Sequence, residues 1–411
     1  MLNWSNQFNI CCFLDNNDYQ FGPNSYECLA GVGALDMVSA SSGNALQQLK
    51  AFQARNSRWL FGHLCYDVKN EIEQLSSMHP DNISFPDLFF FAPQVVLLLN
   101  KKELAICSNH SLSAQQIFAA ICSTEVNNET AVQNNIAVQS RFSKQEYIET
   151  IIKLQQHIHR GDCYEINFCQ EFFAKHIILE NPLQVYQSLG LASPTPFAAY
   201  YKIEDKYLLC ASPERYLKKQ GNRIISQPIK GTGKRDLLNT AADQEYKQAL
   251  YESPKDRSEN VMVVDLVRND LSRICTEGTV NVEELFGIYS FPQVHQMIST
   301  ITGELKPGID FTGIARETFP MGSMTGAPKR KVMQLIEQYE KTRRGIFSGA
   351  VGYIQPSGDF DFNVVIRSIL YNQTNRYLAY QVGSGITFYS NPEQEYEECL
   401  LKAEAIKKVL A

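Results

Sequence analysis

The chain has no surplus of positive charge. Its 38 lysines and arginines are outnumbered by 44 aspartates and glutamates, for a formal net charge of -6. Nucleic-acid binders usually carry a basic field, so nucleic acid is not an expected partner. Metal-type cysteine spacing is also missing. Among 11 cysteines, Cys11 and Cys12 are adjacent, and Cys163 and Cys169 stand too far apart for a Cys-x-x-Cys pair. An odd set of thiols in a long chain reads as reduced cysteines packed as small apolar groups, which points to the cytoplasm. The longest apolar stretch, Leu88 to Leu99, is broken by Pro93 and falls short of the roughly 20 residues a membrane helix needs. The opening Met1-Leu2-Asn3-Trp4-Ser5-Asn6 has no basic start and no apolar run, so neither a secretory signal nor a membrane partner is expected. There is no internal repeat and no low-complexity tract. The seven histidines are scattered, with no ligating pair and no Ser/His/Asp triad. No Cys-His-Glu glutaminase occupies a domain of its own.

What is present describes an ordinary globular protein. Hydrophobic residues make up 44% and charged residues 20% of 411 positions. That length suggests about two or three domains. Ser143 and Glu146 form a capping box for a helix that Ile148, Ile151, Ile152 and Ile158 mark at helical spacing and Gly161 ends. A strand from Cys163 to Ala174 follows, in which Tyr164, Ile166 and Phe168 alternate with Glu165 and Asn167. Further strands are expected at 9–14, 59–66, 94–99, 197–203, 207–211, 214–219 and 223–229. Their close spacing favours antiparallel pairing, and the fold class is α+β. The polar stretch 123–140 reads as an exposed connector.

Four constellations could carry chemistry. The first is Ser226-Gln227-Pro228-Ile229-Lys230-Gly231-Thr232-Gly233-Lys234-Arg235. A phosphate loop would need glycine at 228 and Ser or Thr at 235, and the chain has Pro228 and Arg235. The alternative is a glycine-rich turn with solvated lysines. The second is two sets of carboxylates. Asp256 and Glu259 share a face on a helix expected from Pro254 to Leu271, with Met262, Val263, Leu266 and Val267 as its apolar stripe. Glu395, Glu398 and Lys402 line up on a helix that opens at Asn391-Pro392 and runs to the C-terminus. Paired carboxylates repel unless a cation lies between them, and Mg²⁺ takes oxygen ligands. Each pair taken alone reads better as a solvated helix face. The third is Phe319 to Lys329, small residues leading into a helix with Pro328 in its first turn, where free N–H groups can hold a carboxylate; the alternative is an ordinary capped helix start. The fourth is Gly383 and Gly385 in a strand end, which allow either a ligand's approach or a bulge.

Five motifs occur in order: Pro228 to Thr232, Glu259 to Asp270, Gly322 to Lys329, Asn363 to Arg367 and Glu395 to Glu398. Their content resembles the chorismate-utilising enzymes, which comprise the anthranilate, aminodeoxychorismate, isochorismate and salicylate synthases. The resemblance covers roughly 142–410, and residues before it resemble the more variable N-terminal region of the same large subunits. It implies an anthranilate synthase component I-like fold, an antiparallel β-sandwich with flanking helices and the site in a cleft. The implied division is a region 1–122, a connector 123–141 and a chorismate-binding catalytic domain 142–411. It further implies that Glu259 and Glu398 bind Mg²⁺, with Asp256 and Glu395 as second carboxylates, and that the metal grips the ring carboxylate of chorismate. Thr232, Ser323, Arg367, Lys402, Gln296 and the backbone at Gly383 and Gly385 match substrate-contacting positions. Glu214 matches the general acid for the C4 hydroxyl.

Lys230 separates the branches of the family. The aminodeoxychorismate-forming members carry this lysine where the anthranilate-forming members carry alanine. By resemblance it attacks C2 and is expelled when ammonia adds at C4, so a depressed pKa would help it. The product, 4-amino-4-deoxychorismate, belongs to folate (4-aminobenzoate) biosynthesis, and the ammonia is expected from a separate glutamine amidotransferase subunit. The water-using siblings carry a lysine where this chain has Glu165. Other departures are Gln296 where the siblings place histidine, with His295 on the opposite strand face, Phe347 in place of tyrosine, and Leu14-Asp15-Asn16 as only a loose match to a tryptophan-feedback motif. Anthranilate synthesis and a non-catalytic scaffold are the alternatives.

Overall fold

The computed structural model describes residues 1–19, 26–101, 103–109, 111–125, 135–292 and 294–411. The centre of the expected connector, 126–134, lies outside the described residues. Two antiparallel sheets dominate. One has 11 strands in the order 326–327, 165–175, 377–386, 368–372, 206–212, 197–203, 10–15, 28–32, 95–100, 103–108, with 139–140 added beside 165–175. The other has 10, in the order 229–234, 294–304, 223–227, 215–220, 360–364, 350–354, 60–64, 88–92, 36–40, with 281–290 beside 294–304. Strands from both sides of residues 123–141 therefore share both sheets.

One core fills the space between the sheets. Leu29, Ala199 and Cys210 from the first sheet meet Phe61, Leu217 and Val351 from the second, and all are buried. A second core lies on the outer face of the first sheet, beneath helices Lys144–His159, Pro182–Ala192, Lys329–Tyr339, Pro392–Lys402 and Glu404–Leu410. The helix Lys144–His159 carries the capping box at Ser143 and Glu146. Its buried stripe runs through Tyr147, Ile151, Leu154 and Ile158, whereas Ile152 is exposed. Burying such a side chain contributes about 1.5–3 kcal/mol.

The alternation along Glu165–Lys175 is real, but both faces are buried up to Ala174. Ile166 and Phe168 enter the outer core. Glu165 and Asn167, which share the other face, are shielded from bulk water by the rest of the fold. The helix expected to end at Leu271 runs on as Pro254–Ile274, and its buried side is set by Val263, Val264, Val267, Leu271 and Ile274. The last helix is two, Pro392–Lys402 and Glu404–Leu410, joined at Ala403. Among the described residues no helix is long and apolar enough to cross a membrane.

Candidate active site

Two corners where the chain changes sheets found the site. Glu214 lies between Lys206–Ser212 of the first sheet and Arg215–Gln220 of the second. Arg367 lies between Phe360–Val364 of the second and Ser368–Asn372 of the first, in the left-handed region at φ 53°. The corners are tied together. Val364 N–H donates to the Glu214 carbonyl at 3.0 Å, and Ala211 N–H donates to the Arg367 carbonyl at 3.2 Å. A cavity of about 680 Å³ opens beside them. Glu214, Lys230, Thr232, Asp256, Glu259 and Gln296 border it, as do Ser323, Arg367, Gly383, Gly385, Glu398 and Lys402. Glu395 reaches the same cluster through Lys255.

Lys230 belongs to an edge strand, Ile229–Lys234, paired with Val294–Glu304, and not to a solvated turn. The pairing shifts register between Ile229 and Thr232, and Gly231 takes φ 100°. Such an irregularity re-aims a side chain. Here it accompanies a buried Lys230 whose Nζ donates to Glu165 Oε1 at 2.6 Å. Glu165 belongs to the first sheet, so this ion pair spans the two sheets. Burial pulls the Lys230 pKa down, but Glu165, Glu259 and Glu398 outweigh it and hold the amine above its ordinary value. In the free site the amine is thus held opposite to the depressed pKa that would help a nucleophile.

Glu214 is buried, and burial raises its carboxyl to about 7 against the opposing pull of Ser323 and Lys230. Ser323 Oγ donates to Glu214 Oε1 at 2.6 Å. Ser323 sits in a short 3-10 turn, Gly322–Met324, and Pro328 caps the following helix instead of occupying its first turn. The turn meets the cavity. The helix N-terminus does not border it, and Lys329 there is engaged by Asp270 at 2.7 Å. Arg344 braces the floor, donating to the Met324 carbonyl at 2.6 Å and the Asn167 carbonyl at 2.8 Å.

The glycines lie in unbroken pairing, Gly383 opposite Cys169 and Gly385 opposite Asn167, so neither marks a bulge. A Cβ on Gly385 would stand 2.6 Å from Lys230 Nζ and 2.8 Å from Glu165 Oε1. Arg367 donates to the Lys402 carbonyl at 3.1 Å, and burial lowers its pKa to about 10, which leaves it charged at neutral pH. Lys402 Nζ lies 2.8 Å from Glu398 Oε1 and 3.0 Å from the Gly383 carbonyl. Gln296 is buried on the cavity wall with Oε1 lacking a partner. His295 faces the other way, between Ser290 Oγ at 2.9 Å and Asp243 Oδ1 at 3.0 Å. Thr232 is exposed at the rim.

The carboxylates fit a hard cation in donor type. Glu165 Oε2, Glu259 Oε1 and Glu395 Oε2 are buried without hydrogen-bond partners, and an oxygen-only set suits Mg²⁺. Burial raises Glu259 to about 7, whereas Lys402 holds Glu398 down at about 2. Their spacing is wider than a metal cage, and among the described residues no group of three or more His, Cys, Asp or Glu stands at metal-binding spacing. Instead Lys255 Nζ stands among Glu395, Glu259 and Glu398 at 3.0, 3.8 and 3.9 Å. Asp256 is turned elsewhere, accepting from the Ser253 hydroxyl beside Gly231. Lys255 and the pairing role of Glu165 escaped the sequence reading. The i,i+4 spacing of Lys255 and Glu259 was the available signal, and it is also that of a routine surface pair.

Residues 14–408 match the model of the chorismate binding enzyme family. The chain is 35% identical over 349 residues to aminodeoxychorismate synthase component 1 of Salmonella typhimurium, covering 84% of this chain and 75% of that protein. It is 34% identical to an anthranilate synthase component I-like protein of Synechocystis sp., covering 86% and 72%. Its fold is similar to the crystal structure of anthranilate synthase component I from Streptococcus pneumoniae TIGR4, with TM-score 0.81 and 22% identity over 96% of this chain and 94% of that one.

Proposed function

The chain belongs to the chorismate binding enzyme family, and from that premise we propose that it aminates chorismate at C4, with Lys230 as a covalent nucleophile. The observation that carries this reading is the buried Lys230–Glu165 pair facing the same cavity as a Glu214 carboxyl raised to about 7. Several relatives named aminodeoxychorismate synthase component 1, at 31–35% identity, support it. In this reading Glu165, 2.6 Å from Nζ, takes the lysine's proton once substrate is bound. The free amine attacks C2, both ring double bonds shift (C1=C2 and C5=C6 become C1=C6 and C4=C5), and the C4 hydroxyl leaves as water with the proton of Glu214. Ammonia then bonds to C4, both double bonds shift back, and the lysine nitrogen leaves C2 as an amine. A carboxyl with a pKa near neutrality suits such proton donation.

Arg367 and Lys402 offer cationic donors to the substrate's carboxylates, and Gln296 offers a free carbonyl oxygen. Glu259, Glu395 and Glu398 are the groups that would hold magnesium. When bound, the ion would neutralise and anchor the ring carboxylate. Ammonia comes in this reading from a separate glutamine amidotransferase subunit, so the purified chain should use ammonium and fail with glutamine. The decisive experiment is mass spectrometry of the product formed from chorismate, ammonium and Mg²⁺. A 4-amino product that keeps the enolpyruvyl group supports the proposal. A 2-aminobenzoate with released pyruvate replaces it with anthranilate synthesis, the activity named for the Synechocystis relative's namesake.

A further inference from the structure

We propose that Lys255 is an internal counter-cation that occupies the place of the divalent ion and must withdraw before the ion can enter. The inference rests on the carboxylate assignment made above. Lys255 sits in the first turn of Pro254–Ile274, and its Nζ bridges to the helix Pro392–Lys402. Only the 3.0 Å contact with Glu395 Oε1 is a hydrogen bond. Glu259 Oε1 at 3.8 Å and Glu398 Oε2 at 3.9 Å are held by charge alone.

The same oxygens cannot serve both cations at once. Magnesium holds its oxygens at about 2.0–2.1 Å, which brings neighbouring oxygens to within about 3 Å of one another. Oxygens spread at 3.0–3.9 Å around an ammonium are too far out for that. An entering ion must therefore draw the carboxylates inward and expel Nζ. Exposure is divided in a way that permits this exchange. The Lys255 side chain is 42% exposed and that of Glu398 39%, whereas those of Glu395 and Glu259 are 1% and 11% exposed. The cation can swing into water on its flexible stem while Glu395 and Glu259, both buried, close on the ion. The ammonium also leaves the site incompletely satisfied, because Glu395 Oε2 and Glu259 Oε1 remain buried without hydrogen-bond partners. Lys230 and Lys402 do not take its place, being engaged by Glu165 and by Glu398 Oε1.

Manganese binding to the full chain without substrate tests this, read from the free-ion electron paramagnetic resonance signal. Lys255→Met should bind Mn²⁺ about tenfold more tightly than wild type, because the competing charge is gone. Lys255→Arg should stay near wild type, since it keeps the charge. Mg²⁺ should also raise the Tm of Lys255→Met more than that of wild type. Lys255→Gln serves if the methionine variant does not fold. Affinity unchanged or weakened in the neutral variants, or tightened equally by arginine, overturns the counter-cation while leaving the metal site intact, provided that Glu259→Gln abolishes binding. Wild-type affinity in Glu259→Gln, or binding to neither wild type nor Lys255→Met, overturns the metal site and this inference together.

Discussion

Gly385→Ala is the sharpest test of the site's geometry. Gly385 does not lie in the left-handed region, so the backbone accepts alanine and the effect is steric. The added Cβ would stand 2.6 Å from Lys230 Nζ, short of an ordinary 3.4 Å contact by about 0.8 Å. It would also crowd Glu165 Oε1 at 2.8 Å. The lysine and glutamate must shift together or part. Overpacking of this kind costs about 1–3 kcal/mol, and misplacing a reacting group by about 1 Å costs about 100-fold in rate. Steady-state kinetics with chorismate and ammonium should show kcat down about 100-fold. KM should stay within a few-fold, because Arg367 and Lys402 are untouched. Gly383→Ala is the contrast. Its Cβ would meet the Phe168 carbonyl oxygen at 2.1 Å, and backbone cannot step aside, so that variant should lose fold before chemistry. Wild-type kcat with wild-type Tm in Gly385→Ala would refute the placement of Lys230.

Glu214→Gln should lower the rate by about 10²–10⁴ and abolish the alkaline limb that the raised carboxyl places near pH 7 in the wild-type kcat/KM profile. Its stability has a defined sign. A carboxyl raised from 4.5 to about 7 on folding stabilises most below pH 4.5 and loses that contribution as pH climbs through 7, so the Tm of Glu214→Gln relative to wild type should improve between pH 5 and pH 8. Lys230→Ala should suppress amination, and peptide mapping of a trapped chorismate adduct on the wild-type chain should find the added mass on Lys230. An adduct on Lys234 or Lys329 would reassign the nucleophile. Glu259→Gln or Glu398→Gln should remove most activity with the circular dichroism spectrum unchanged, and full turnover in excess chelator would dismiss the metal.

Local signals in the sequence were faithful where the deciding physics is local. The Ser143–Glu146 capping box lies within one turn and formed as read. Strand Phe197–Ile203 kept its expected limits, with Ala198 to Tyr201 buried without a break. Where a property depends on distant partners, the sequence was silent or misleading. Burial alone would depress Lys230, but Glu165, 65 positions away along the chain, reverses the sign together with Glu259 and Glu398. Glu165 itself was read only as a missing lysine, because its partner is set by the approach of two sheets. The turn at Ala403 has no glycine or proline to announce it, so one helix was expected where two stand. The side of His295 was legible, since strand alternation is local, and it faces away from the cavity as expected.

The order of strands also sets an order of assembly. In the second sheet, the strands at 36–40, 60–64 and 88–92 are joined to those at 215–234 and 294–304 only through 350–354 and 360–364. In the first, 165–175 reaches 206–212 only through 368–372 and 377–386. Residues 350–386 therefore close both sheets, and the corner carrying Arg367 forms with them. At about 5–20 residues per second of synthesis, the edge of Leu60–Leu64 waits roughly 15–60 s for its partner Ala350–Ile354. Through that interval it is an open template for other chains. The cavity beside the Glu214 and Arg367 corners is thus among the last features of the nascent chain to exist.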